Sequence, residues 1–201
     1  MYITKVEQGK GKRYRVYSED CFLFALYSKE LKQYHIAENI DLDDETICSI
    51  QQNLVFPHAK ERSLYLLESR PYSTAMMRKK LRSNDYPPVV VDAVIDFLIT
   101  YHYLDDMEYI RMYTEAYSSR KSKRQIKYEL LGKGIEKNLI DTFFLNFDYS
   151  EKEAFEPLFQ RYIRGKDLED HIVRQKIYRY FYAKGYPGSL IEETLRQYVS
   201  E

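Results

Sequence analysis

Tryptophan is absent from the 201 residues, and glycine, at seven, and cysteine, at two, are scarce. So few glycines argue against phosphate cradles built on glycine-rich loops and against a fold of many tight hairpins. Cys21 and Cys48 stand in unlike contexts with no second pair, so neither a disulfide framework nor a four-cysteine zinc site is available. The longest apolar runs, such as Pro87 to Val91 and Leu139–Ile140, fall far short of the roughly 18 residues a membrane span needs. The stretch from Met1 to Gln8 has no apolar core of the kind a signal peptide carries. Nor is there an excess of one charge. Lysine plus arginine number 31 and aspartate plus glutamate number 31, which excludes a globally basic nucleic-acid binder but not a locally basic surface. The expectation is a cytoplasmic chain that uses no membrane.

What is present is apolar residues at 44%, charge at 31%, and 21 tyrosines against 10 phenylalanines. That composition is globular and rules out wholesale disorder. Tyrosines can stack on bases or anchor interfaces, yet most are expected simply to replace phenylalanine or leucine at half-buried helix positions.

The first 40 residues, 1–40, read as a small β-rich segment. Tyr2, Thr4 and Val6 alternate with Ile3 and Lys5, and Arg13 to Val16 alternates again beyond Gly9 and Gly11. Period two around glycine is a hairpin signal, and Cys21 to Tyr27 can supply a third strand. Residues 41–58 read as a helix and linker, with Asp41 before Asp44 and an apolar run through Ile47, Ile50 and Leu54. From Ala59 onward the pattern is helical. Ser122–Gln125, Ser150–Glu153 and Ser189–Glu192 have capping-box spacing. Pro87–Pro88 and Pro187 fall where first turns belong, and Gly134 and Gly185 where helices stop.

Sliding the chain by about 50 residues aligns one apolar lattice three times. Met77 meets Ile126 and Ile177, and Leu81 meets Leu130 and Phe181. Tyr86 meets Ile135 and Tyr186, and Val91 meets Ile140 and Ile191, each preceded by Val90, Leu139 or Leu190. Ile95 meets Phe144 and Leu195, Leu98 meets Phe147 and Tyr198, and the acids Asp92, Asp141 and Glu192 coincide. The fold class is therefore mainly α, with three tandem three-helix repeats stacked as an elongated, curved array. The expected boundaries are 59–104, 105–149 and 150–201. The run Val89–Val91 favours a strand by propensity, but its counterparts Leu139–Ile140 and Leu190–Ile191 favour helix. Leu130, with Ile126 one turn earlier and Ile140 on the next helix, is expected at the centre of its core.

Charge follows the repeats. Residues 60–82, 120–137 and 161–184 carry seven Lys/Arg each with two, two and three acids. Residues 92–108 carry five acids and no Lys/Arg, and 141–157 five acids and one lysine. The middle helix of each unit is basic, and if those helices share a face it is a basic stripe. The simpler reading is a solvated face paired within the molecule.

Reaction chemistry is not visible. His35, His58, His102 and His171 have no metal-ligand spacing, and Asp105–Asp106 reads as a helix start rather than a cation site. Gly132–Lys133–Gly134 sits at a helix end, not in a phosphate loop, and no nucleophile–base arrangement occurs. No catalytic residue, metal or cofactor is expected; the chain reads as a binding protein.

Two stretches resemble a known family. Tyr103-Leu104-Asp105-Asp106 and the block from Lys121 through Arg124, Ile126, Glu129, Leu130, Lys133 and Gly134 to Ile135 are similar to the signature elements of the bacterial RecX family. The likeness runs from Ala59 to the C-terminus. His102 stands where the family usually has glycine, and Asp85 where Gly134 and Gly185 stand in the sister units. An aspartate there implies a left-handed or turn conformation. The resemblance implies a monomeric regulator of the RecA recombinase. It would lie in the groove of the RecA–DNA filament, hamper extension and lower ATP hydrolysis and strand exchange. Its partners would be RecA, single-stranded DNA and, second, double-stranded DNA. The candidate contact residues are Arg78, Lys79 and Arg82 in the first unit. In the second they are Arg120, Lys121, Lys123, Arg124, Lys127 and Lys133, and in the third Arg174, Lys176 and Arg179. Lys123 with Lys127, and Arg120 with Arg124, are spaced to share faces of one helix. Two alternatives stay open: a tandem helix-turn-helix reader of duplex DNA, and an α-helical scaffold that binds only protein.

Overall fold

The structure is a computed structural model and describes residues 1–199. Three strands, β1 (Lys5–Gln8), β2 (Arg13–Ser18) and β3 (Cys21–Tyr27), form an antiparallel sheet in the order β1-β2-β3. A short helix α1 (Ser28–Gln33) follows, unforeseen from the sequence; Glu30 in its first turn accepts from the Tyr27 N–H at 2.7 Å. Residues 44–69 are then helical without a break. They comprise α2 (Asp44–Ile50), a π-helical turn (Gln51–Val55) and α3 (Phe56–Ser69), so no linker separates the segments. The cap of α2 is Asp43, which accepts from the Thr46 N–H at 2.6 Å, and not Asp41. Asp41 instead pairs with the N-terminal amine at 3.0 Å.

Beyond this the three repeats appear as helix triplets. The first is α3, α4 (Thr74–Arg82) and α5 (Pro88–Thr100). The second is α6 (Asp106–Tyr117), α7 (Lys123–Gly132) and α8 (Lys137–Asn146). The third is α9 (Glu151–Ile163), α10 (His171–Ala183) and α11 (Gly188–Val199). Val89–Val91 lie in a helix, because burial of Val90, Val91 and Val94 on one side outweighs a strand propensity of under a kcal/mol per residue. The chain divides into two compact units, Met1–Asp105 and Asp106–Glu201. The core of the first joins the sheet residues Val16, Phe24 and Leu26 to Met77, Leu81, Val91 and Ile95. In the second, Ile126 and Leu130 are fully buried and Ile140 is 1% exposed. Phe155, Phe159, Ile177, Phe181 and Ile191 form a further cluster.

Middle and third helices are joined by the same device in every repeat. Asp85, Gly134 and Gly185 hold φ of 56°, 77° and 88°. A non-glycine residue there costs about 1 kcal/mol or more. Asp85 offsets that cost because its carboxylate accepts from the Lys10 N–H at 2.7 Å and lies 3.1 Å from Arg15 Nε. The sheet is thereby tied to the α4–α5 turn, and Arg13 also donates to the Asn84 carbonyl. His102 follows α5 with φ 58°. The Tyr103 and Leu104 N–H groups return to the Leu98 carbonyl at 2.8 and 3.1 Å, so histidine serves as the left-handed stop.

Ser73, Ser122 and Ser150 cap α4, α7 and α9. Ser189 does not cap α11. That helix begins at Gly188, and the Pro187 carbonyl accepts from the Ile191 N–H at 3.1 Å. Pro87 and Glu136 hold the equivalent place before α5 and α8, so the repeat sets the start and Ser189 falls inside it. Arg120 and Lys121 precede α7 for the same reason. With Ser122 as the cap, Arg120 does not share a helix face with Arg124.

Lys121 and Glu129 form a partly buried cluster against α6. Their charged groups are 2.5 Å apart with side chains 20% and 26% exposed. Tyr113 donates to the same carboxylate, and Gln125 donates to its other oxygen at 3.0 Å. Burial pushes the Glu129 carboxyl up, but the hydrogen bonds from Lys121, Tyr113 and Gln125 outweigh it and hold the group below the usual carboxylate range.

Three outcomes follow from these contacts. Leu130→Ala should destabilise the chain by about 2–5 kcal/mol in urea unfolding, as a buried leucine truncation does; an unchanged midpoint would mean Leu130 is not a core residue. Asp85→Gly relieves the left-handed strain but removes the tie to Arg15 and Lys10, so it should cost about 1–2 kcal/mol net; a variant more stable than the parent would reverse that ranking. Because the folded Glu129 pKa is depressed, its contribution is present above the unfolded carboxylate value near 4.5. It is lost as pH falls through the lower folded value. Glu129→Gln should therefore flatten the acid limb of a stability–pH profile, and a limb unchanged in shape would exclude this cluster as its source.

Candidate nucleic-acid interface

Helix α7 turns Ile126 and Leu130 inward, which fixes where its cations emerge. Lys123 and Lys127, one turn apart, lean over the Phe144 ring at 5.3 and 5.2 Å. Lys127 is also held 2.6 Å from Asp141 on α8. That bond keeps the Asp141 carboxyl below its usual value. Arg124 is exposed, and among the described residues no ion pair or hydrogen bond holds its guanidinium. Tyr128, one turn beyond Arg124, is 77% exposed.

These side chains form one wall of an open groove of about 580 Å³ inside the second unit; Tyr182 of α10 and the α10–α11 turn form the other. Tyr182 is 52% exposed. The walls are locked by backbone-level contacts. The buried Ser122 hydroxyl accepts from the Gln125 N–H at 3.1 Å and donates to the Lys184 carbonyl at 2.7 Å. A Cβ on Gly185 would lie 2.8 Å from that hydroxyl and 3.1 Å from Arg124 Cβ, so only glycine lets the turn seat against α7. Glu151, at the start of α9, accepts from the Lys123 N–H at 3.1 Å.

The groove floor differs from its rim. Glu151 is half-buried, and burial raises its carboxyl pKa against the opposing pull of the Lys123 N–H and ammonium. Tyr186 is 2% exposed, and its hydroxyl has no hydrogen-bond partner. Burial, with Glu151 nearby, pushes that hydroxyl up to about 12. Cations and exposed tyrosine rings therefore surround a recess lined by a carboxyl, while the Tyr186 hydroxyl is closed to solvent. That arrangement can hold an anionic group at the rim and a flat, polar-edged group below it.

The other candidate cations are placed differently. Lys121 is spent on Glu129 and lies 3.8 Å from the Tyr117 ring. Lys133 sits over Tyr113 at 4.9 Å. Arg120 donates to the Ala116 carbonyl at 3.1 Å. In the first unit Arg78 pairs with Asp92, and Lys79 and Arg82 are exposed. Arg78–Asp92 and Lys127–Asp141 occupy the same repeat positions, each pair separated by 14 residues in sequence. In the third repeat Arg174 donates to the Leu168 and Glu169 carbonyls at 2.8 and 3.0 Å, while Lys176 and Arg179 are exposed on α10. Sequence reasoning missed Tyr128 and Tyr182 because tyrosines were read as packing residues. The available signal was their phase: each falls off the face set by Ile126 and Leu130 or by Ile177 and Phe181. Among the described residues, no group of three or more His, Cys, Asp or Glu side chains is placed to hold a metal ion. No helix of the described residues is long and apolar enough to cross a membrane.

Known proteins carry the same pattern. Residues 59–98 match the model of the RecX first three-helix domain, and residues 105–142 that of the RecX second three-helix domain. "Regulatory protein RecX" of Clostridium beijerinckii is 26% identical over 98% of this chain and 96% of the relative. The protein of the same name from Clostridium tetani is 29% identical over 97% and 93%. A crystal structure of regulatory protein RecX superimposes with a TM-score of 0.60 at 25% identity, covering 95% of this chain and 97% of that one. RecX from Lactobacillus salivarius shares the fold, with a TM-score of 0.62 at 21% identity over 72% of this chain and 96% of that one. Two successive domain matches, relatives aligned nearly end to end and a shared fold agree: the chain belongs to the RecX family of regulatory proteins.

Proposed function

We propose that this chain regulates the RecA recombinase by lying in the groove of the RecA–DNA filament. There it would slow filament extension, ATP hydrolysis and strand exchange, with the rim cations of the α7 groove meeting DNA phosphate. The observation that carries the reading is Arg124: an exposed, unpaired guanidinium between Lys123 and Lys127 on a chain whose formal charge is zero. A local cluster of that kind attracts phosphate while the acidic helices oppose indiscriminate collapse onto a duplex. The third helices of the repeats present Asp92 and Asp96, or Asp141, rather than the polar base-reading side chains of a helix-turn-helix recognition helix. That favours the filament regulator over a sequence-specific duplex reader. Regulation by electrostatic contacts of this kind is salt-sensitive and needs no bound cofactor.

The test is a variant with Lys123→Gln, Arg124→Glu and Lys127→Gln. Glutamine is chosen at 127 because glutamate there would face Asp141. Lys127 and Asp141 side chains are 31% and 45% exposed, so loss of their bond should cost little stability. Helical content should match the parent by circular dichroism. Inhibition of RecA-driven ATP hydrolysis on single-stranded DNA should be lost, and the log–log salt dependence of DNA binding should flatten by about 2 units, at ~0.7 per contact. A folded variant that inhibits as well as the parent at physiological salt would refute the role given to this face.

A further inference from the structure

The groove holds more than a phosphate contact requires. If it served the DNA backbone alone, its lining would be cationic throughout. Instead a half-buried carboxyl, Glu151, lines the groove with the cations, and two exposed tyrosine rings stand beside them. A bare anion is attracted to the rim but repelled by Glu151. An acidic peptide meets the same conflict and gains nothing specific from the two rings. A nucleotide resolves it, because its charge lies at one end and a flat ring with a hydrogen-bonding edge at the other. A carboxylate accepts from a ring N–H or an amino group such as adenine's. Aromatic side chains supply stacking that every base can use.

We infer that the groove between α7 and the α10–α11 turn is a subsite for one unstacked nucleotide of a single strand. Its phosphate lies against Arg124 and Lys123, its base stacks on Tyr128 and Tyr182, and the base edge faces Glu151. The assignment rests on the DNA-contact reading above. The occupant is a nucleotide within a strand rather than a free one, because exposed Arg179 and Lys184 continue the positive surface along α10 past the groove. A mononucleotide has no second phosphate to place there.

The experiment uses the full chain, without RecA, and fluorescence anisotropy at low salt. The probes are a 12-mer of abasic sugar–phosphate units and the same 12-mer with one central deoxyadenosine. Their charge is equal, so any difference reports the base. The single base should tighten binding about tenfold, within the range one stacked base contributes. Tyr128→Ala, whose side chain is mostly solvent-exposed and so leaves folding intact, should abolish that gain without changing affinity for the abasic strand. Free deoxyadenosine monophosphate at equal nucleotide concentration should not compete, and competition would overturn assignment to a strand. Equal binding of the two probes, with both weakened by Arg124→Glu, would overturn the subsite and leave the backbone contact standing. Failure of both probes to bind would overturn both.

Discussion

A single backbone position with positive φ sets the geometry of each repeat. The residue between the middle and third helices must turn the chain within four or five residues, so that the face carrying Leu81, Leu130 or Phe181 meets the one carrying Val91, Ile140 or Ile191. Glycine fills it twice. Aspartate fills it in the first repeat, where the sheet supplies Arg15 and the Lys10 N–H to hold the carboxylate. The strained choice appears where a partner exists to offset it, and the strain-free choice appears in the other two. At Gly185 the missing Cβ has a second use, since the turn seats against Ser122 and Arg124 through the space it leaves.

This locking explains why the groove can be shaped while lying on the surface. Its walls belong to different helix triplets of the same unit and are joined by a buried hydroxyl that both accepts and donates, and by a carboxylate on a backbone N–H. The two hydroxyl bonds are made by a short serine side chain and the main chain, which lose little side-chain entropy on ordering. The long cations above them are left to respond to a ligand. A zero net charge then works in favour of discrimination. Arg78 and Lys127 share the acids of the next helix, so the strongest positive charge falls where the repeat does not neutralise it, at Arg124 above all.

Legibility from the sequence follows the same division. The apolar lattice was readable because burial at Met77, Ile126 and Ile177, and at the positions of Leu81, Tyr86, Val91 and Ile95, recurs in all three repeats with helical period. The left-handed aspartate was readable by its alignment with two glycines. Two lattice positions were only partly informative: Val90 and Leu98 are buried, while Leu139, Leu190, Phe147 and Tyr198 are half-exposed. The first unit has extra helical cover from residues 44–55, and local pattern does not encode that. The site was legible as a basic helix but not as a groove. Which lysines are paired depends on how α7 crosses α8, and Tyr186 looks in sequence like any other core aromatic. Helix α1 lacks an apolar period and was invisible for that reason.

The π-helical turn at Gln51–Val55 has an effect on the helix that contains it. Along residues 44–69 the buried positions run Ile47, Ile50, Val55, Ala59, Ser63 and Leu66, and Leu54, which a plain α-helical phase would favour, is only half-buried. The step from Ile50 to Val55 is one residue too long for an α-helix, and the wider turn absorbs it. The turn acts as a phase adapter: it keeps Ile47 and Ile50 buried on the same side of one unbroken helix as Val55, Ala59 and Leu66. A deletion of one residue between 51 and 55 would close the wide turn into ordinary α-geometry with Ile50 four residues from Val55, and both halves would keep their buried faces. A second deletion would find no wide turn to absorb it and would rotate everything upstream by about 100°. In this stretch the chain should tolerate the loss of one residue but not of two.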